Sequence, residues 1–173
     1  MVIEDLSVKV KRQEFVISPS SGALVKCGRE LIMMKRDDNP NIPHPGKIAL
    51  LGGGVIFPET VNEALIRELK DEIGIIINES QINNLGILKG GDDNDHIKYI
   101  SLVELTDEQG ASIQKGKEGE SIVYFNSDNL PEEKKLVPDL KVIFINNREC
   151  LVNWLKGESV EPSDVGLKTI NKT

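Results

Sequence analysis

Cysteine is scarce in this chain of 173 residues, which holds only Cys27 and Cys150. The two stand far apart in apolar-patterned segments, with neither CxxC nor zinc-ligand spacing. They read as buried thiols of a reducing compartment and not as a disulfide framework or a metal site. Long apolar runs are missing as well. None approaches the ~18–20 residues that span a bilayer, and the N-terminus has no signal-peptide core, so a cytoplasmic location without membrane attachment is expected. Positive charge is in deficit, with Lys+Arg 21 against Asp+Glu 28 and a formal charge of −7. That balance argues against non-specific binding of nucleic acid or anionic membrane, both of which need a basic surface. Histidine is limited to His44 and His96. Neither has a partner motif, and they read as an ordinary loop and an ordinary turn histidine. Internal repeats and low-complexity tracts are absent.

What is present is ordinary globular composition, 39% hydrophobic and 28% charged, at a length that suits one sizeable core. We expect residues 1–157 to form a single domain and the polar residues 158–173 a flexible tail. A homodimer is compatible with this composition.

The segment Met1–Glu14 reads as a strand or arm covering one edge. Phe15–Ile17 and Ala23–Cys27 read as strand, separated by turn residues Ser18–Gly22. After a tight turn at Cys27–Glu30, the apolar run Leu31–Met34 is short enough for a buried strand, with its methionines as core. Lys35 and Arg36 follow, and either one can reach a substrate phosphate. Three prolines then stiffen the loop Asn39–Gly46 into something neither helix nor central strand, suited to walling a pocket. Ile48–Leu51 is a short strand leading into Gly52-Gly53-Gly54, a glycine turn that lets the backbone approach a ligand without a Cβ in the way.

The helix that follows announces both of its ends. Thr60-Val61-Asn62-Glu63 has the form of a capping box, and Gly74 is placed as the terminating glycine. Leu65, Ile66, Leu69 and Ile73 fall on one apolar arc. Glu68, Asp71 and Glu72 fall on another, where Glu68 and Glu72 form an i,i+4 like-charge pair that disfavours the helix in water. A salt-bridged surface ladder would account for Arg67 but not for that pair. Hard divalent cations such as Mg²⁺ take oxygen ligands, so carboxylates grouped on one rigid element fit a metal site of that kind.

Gly53, Glu59, Arg67, Glu68, Leu69, Glu72, Gly74 and Ile75 stand in the register of the Nudix box, G-x5-E-x7-R-E-U-x-E-E-x-G-U, where U is a bulky aliphatic residue. The segment resembles that family's signature, with Asp71 in place of one glutamate, Leu51 where proline often precedes the glycines, and Ile48 where tryptophan often lies. The resemblance implies an α/β/α sandwich, with a mixed, partly curled sheet between the box helix and a C-terminal helix. It implies metal-dependent hydrolysis of a nucleoside diphosphate linked to another group. By position, Glu68, Asp71 and Glu72 would hold Mg²⁺ or Mn²⁺, with the Gly52 carbonyl as a further ligand and Gly53 against the substrate. Arg67 would orient the carboxylates, paired with Glu59. A glutamate in a later loop often completes the metal site or acts as base, and Glu118 fits, with Glu120 behind it. Whether the base is Glu118 or Glu68 stays open.

Beyond the box, Asn84–Lys89 and His96–Leu105 read as strands joined by a hairpin turn at Gly90–Asp95, and Ser121–Phe125 as another strand. Val137–Lys156 reads as the second major helix, with Trp154 in its apolar stripe. The substrate follows by elimination. A proline about fifteen residues past the box, associated with ADP-ribose, is replaced by the Leu88–Gly90 neighbourhood. The tyrosine of dinucleoside polyphosphate enzymes and the coenzyme A signature are missing too. A nucleoside triphosphate pyrophosphohydrolase is the first expectation, an NDP-sugar hydrolase the second, and a non-catalytic nucleotide-binding module the third.

Overall fold

Strand β1 (Ser20–Cys27) forks the architecture. In the computed structural model, which describes residues 19–90 and 96–169, β1 lies at the centre of a seven-stranded mixed sheet. The expected N-terminal arm, the Phe15–Ile17 strand and the 91–95 turn lie outside the described residues. The second half of β1 pairs antiparallel with β2 (Glu30–Lys35), and its first half with β4 (Leu51–Gly54). Its other edge pairs in parallel with β6 (His96–Leu105), which in turn holds β5 (Ile82–Gly90) antiparallel. Strands β3 (Ile48–Ala49) and β7 (Ser121–Phe125) both pair with β2. The strand expected over Ile48–Leu51 is thus split at Leu50, where the chain leaves β2 and joins β1. The three glycines are not a turn but the body of β4.

Neighbouring residues in these strands go to opposite faces, the period-2 consequence of the pleat. Val25, Ile32 and Met34 pack on one face with Leu65, Leu69 and Ile73 of helix α1 (Val61–Ile73). Leu24, Leu31 and Met33 pack on the other with Leu140, Phe144, Leu151 and Trp154. A sheet covered on both sides needs continuous apolar runs, which is why Leu31–Met34 shows no alternation. Helix α1 begins and ends as its sequence predicts. Thr60 and Glu63 form a reciprocal capping box, and the left-handed Gly74 returns its N–H to Leu69 and Lys70. A short helix α2 (Asp107–Ala111) follows β6.

Three further expectations differ from the fold. Ser20–Gly22, expected as turn, is buried strand: their small size admits β4, with Ser20 opposite Gly54 and Ser21 opposite Gly53. The long helix expected over Val137–Lys156 is broken into a 3₁₀ turn at Pro138–Leu140, a π turn at Val142–Asn146 and a regular helix α3 (Arg148–Leu155). Asn147 sits outside helical geometry, and its side-chain amide donates to the Val142 carbonyl at 2.7 Å, taking the place of a backbone donor. Part of the segment expected as a polar tail packs on the core instead, with Val165 and Leu167 buried and Lys168 bridged to Ile87 of β5. No helix among the described residues is long and apolar enough to cross a membrane.

Burial ranks what holds α1 in place. Leu69→Ala, at a fully buried position, should lower the unfolding free energy by about 2–5 kcal/mol. Thr60→Ala, which removes only the cap, should cost about 1 kcal/mol. Urea denaturation reads both, and equal losses would contradict this ranking.

Candidate active site

Helix α1 is rigid at both ends and packed along one side, so its acidic arc faces a fixed neighbour, strand β4. Glu72 is only 8% exposed. One of its oxygens accepts the Gly52 backbone N–H at 2.8 Å. Gly52 has φ +130°, and a Cβ there would lie 2.2 Å from the Ser21 carbonyl oxygen, so only glycine fits between β1 and the helix. Gly53 meets the same demand from the other side, because its missing Cβ leaves the space that the Glu68 carboxylate occupies, 2.4 Å from where that atom would be.

Arg67 organises the opening of the site. Its guanidinium donates to Glu59 at 2.6 and 3.1 Å, to Glu68 at 2.5 Å and to the Gly54 carbonyl at 2.9 Å. The Glu59 hydrogen bond, ahead of the pairing with Glu68, holds the Arg67 pKa well above its ordinary value. The same bond holds the Glu59 carboxyl below the usual carboxylate range. Glu59 also accepts the Ile56 N–H at 2.6 Å, so the turn after β4 is braced against the helix.

Glu118 arrives on the loop between α2 and β7. Gln114 and Gly116 donate backbone N–H groups to the carbonyls of Ile73 and Glu72, at 2.9 and 2.8 Å. Two glycines let the loop lie this close. A Cβ on Gly116 would sit 1.8 Å from the Asp71 carbonyl oxygen, and one on Gly119 (φ +77°) 2.3 Å from the Met34 sulfur. The Gly-Lys-Glu-Gly spacing around Glu118 carries the sequence signal for this close approach. Glu118 comes close enough for its charge to act on Glu72.

Burial is the main cause that pushes the Glu72 pKa up, to about 8. The Gly52 N–H opposes it, the charges of Glu68 and Glu118 add to it, and Arg36 opposes it again. The candidates therefore divide. Glu72 is bonded to Gly52, Glu68 fills the space beside Gly53, and the charges of Glu68, Glu118 and Arg36 act on Glu72. Asp71 is exposed on α1 and is not among the charges acting on Glu72. Lys35 is ion-paired with Glu120 at 2.7 Å, which occupies both of those residues. Arg36 donates its Nε–H to the Pro43 carbonyl at 2.9 Å, which ties it to the proline-rich loop.

The donor chemistry fits a hard divalent cation. A carboxylate is buried against two others of like charge, with a backbone beside it cleared of side chains. Among the described residues, no three acidic, His or Cys side chains already stand at mutual ligating distance.

A family model for the NUDIX domain matches residues 18–145. An ADP-ribose pyrophosphatase from Methanocaldococcus jannaschii is 30% identical over 120 residues, which is 67% of this chain and 68% of that one. Among solved structures, a NUDIX hydrolase from Nitrosomonas europaea superposes with a TM-score of 0.63 at 15% identity, over 86% of this chain and 78% of the other. A bifunctional NMN adenylyltransferase/ADP ribose pyrophosphatase from Francisella tularensis, complexed with AMP and a Mn ion, superposes with a TM-score of 0.59 at 21% identity. That match covers 77% of this chain but only 42% of the Francisella protein, so the chain spans less than half its length.

The raised Glu72 pKa has a sign that can be measured. Its folded value of about 8 lies above the model-compound 4.5. The protonated form therefore favours the fold, and this contribution is full below about pH 4.5 and lost as pH rises toward about 8. In EDTA, the Tm of the wild type should fall between about pH 5 and pH 8.5 more than that of Glu72→Gln, whose amide does not titrate. Parallel curves for the two proteins would contradict the burial of an uncompensated carboxylate.

Proposed function

The chain belongs to the Nudix family and is a pyrophosphohydrolase, and from that premise we propose that it hydrolyses a nucleoside diphosphate linked to a sugar, of the ADP-ribose type. The observation that carries the site is Glu72, buried beside Gly52 and crowded by Glu68 and Glu118. Such a carboxylate stays ionised near neutral pH only with a cation against it. The substrate class draws its support from the Methanocaldococcus relative, an ADP-ribose pyrophosphatase. That relationship favours the NDP-sugar expectation over the nucleoside triphosphate one.

Glu68 and Glu72, with the Gly52 carbonyl, would hold the divalent ion, and Glu118 would stand beside it on its loop. Mg²⁺ or Mn²⁺, when bound, supplies neutralisation of the diphosphate and acidification of a bound water. The Mn ion in the Francisella complex supports the choice of a divalent ion. Gly53 brings bare backbone to the diphosphate, and Arg36 presents its remaining guanidinium N–H groups to a phosphate oxygen. Arg67 is a positioning residue: braced by Glu59 and Gly54, it fixes the orientation of Glu68. With one Glu68 oxygen engaged by Arg67, Glu118 is the carboxylate free to take the proton of the attacking water. Water adds across the phosphoric anhydride, giving AMP and ribose 5-phosphate from ADP-ribose. Asp71, exposed, acts through water or at long range.

Two comparisons test this reading. With Mg²⁺ or Mn²⁺, kcat/KM for ADP-ribose should exceed that for ATP and GTP; the reverse order would return the substrate to the nucleoside triphosphates. Glu72→Gln should lose about 10³-fold or more in kcat/KM, and Asp71→Ala should lose far less. Full activity in Glu72→Gln would sink the site assignment, and an equal loss in Asp71→Ala would restore Asp71 to the inner ligand set.

A further inference from the structure

We propose that a second binding site, for a small phosphomonoester, lies between β5 and the irregular segment 138–146, apart from the carboxylate cluster. A cavity of about 340 Å³ opens there, within the range of about 300–1,000 Å³ usual for small-molecule sites. Lys89, Lys141 and Lys168 line it, with Asp139 the one carboxylate. Lys98 neutralises Asp139 at 2.9 Å, and Lys141 shares its charge with Glu133 at 2.7 Å. Among the described residues no carboxylate approaches Lys89 or Lys168 within 4.0 Å. On a chain of net charge −7, three lysines around one opening run against the average and select an anion. Leu88, Pro138 and Val142 supply an apolar wall against which the body of an ester can rest.

A second observation, independent of charge, falls at the same place. Pro138 and Asp139 of the 3₁₀ turn and Val142 and Asn146 of the π turn, both departures from the expected helix, form one wall of the cavity. π turns inside helices are costly and concentrate at functional sites. This one is braced from both sides. Asn147 satisfies the Val142 carbonyl, and Gly166 (φ +72°) packs so closely that a Cβ would lie 2.5 Å from Val142 Cγ2. The cavity is therefore pre-shaped.

It is also separate from the reaction. Gly54, Ser20, Lys98 and Leu88 are successive partners across β4, β1, β6 and β5, so Leu88 stands about 14 Å from Gly54 at ~4.8 Å per strand. Leu88 and Val142 pack with the core on the face opposite α1 and Ile87 with Val61 and Ala64 on the α1 side, so the cavity lies at the outer edge of β5.

The test is calorimetric titration of the whole protein, in EDTA, with AMP, ribose 5-phosphate and inorganic phosphate. At least one of the two esters should bind saturably, and the tighter one identifies the ligand as nucleotide or sugar phosphate. K89E/K168E should weaken that binding at least about tenfold, with kcat toward the diphosphate substrate unchanged. If the reversals lower the Tm, K89Q/K168Q carries the same test. The proposal is overturned if neither ester binds, if the double variant binds as well as the wild type, or if inorganic phosphate binds as tightly as both esters.

Discussion

One hydrogen bond, from the Gly52 N–H to the Glu72 carboxylate, sets the terms for much of the rest. It joins the central helix to the central fork of the sheet and is made by a carboxylate removed from water. A buried carboxylate with a single backbone donor and two like charges nearby is under-compensated, which is why its pKa rises so far. The neighbouring sequence accommodates that one contact. Gly52 and Gly53 clear the space, small residues in β1 allow β4 to close in, and the cap and Gly74 fix where along the helix Glu72 falls. In the proposed mechanism, this local cost is what a bound cation would offset.

The helix and its carboxylates were legible in the sequence because their signals are local. A capping box, a terminal glycine and an apolar arc act within a few residues, and the observed α1 keeps all three. The Nudix register was legible for the same reason. Leu31–Met34 read correctly as buried strand because burial on both faces removes alternation.

The misreadings share a cause in tertiary contact. Ser20–Gly22 carries turn chemistry, yet close approach by β4 uses the same small residues as strand. The apolar stripe from Leu140 to Leu155 was real and does pack on the sheet. Its regularity failed where Pro138 and the Asn147 side chain take over backbone hydrogen bonding. Lys35 pairs with Glu120, 85 residues further on, a contact that no local pattern announces. The motif places Asp71 by position and carries no information about its exposure on α1.

The central claim is that Glu72 and Glu68 are brought together to hold a divalent ion. Anomalous scattering from crystals grown with Mn²⁺ tests it most directly. The account predicts Mn²⁺ density within about 2–2.5 Å of Glu68 and Glu72 oxygens, beside Gly52. Density that bypasses Glu72, or a site emptied of metal at saturating Mn²⁺, would contradict it.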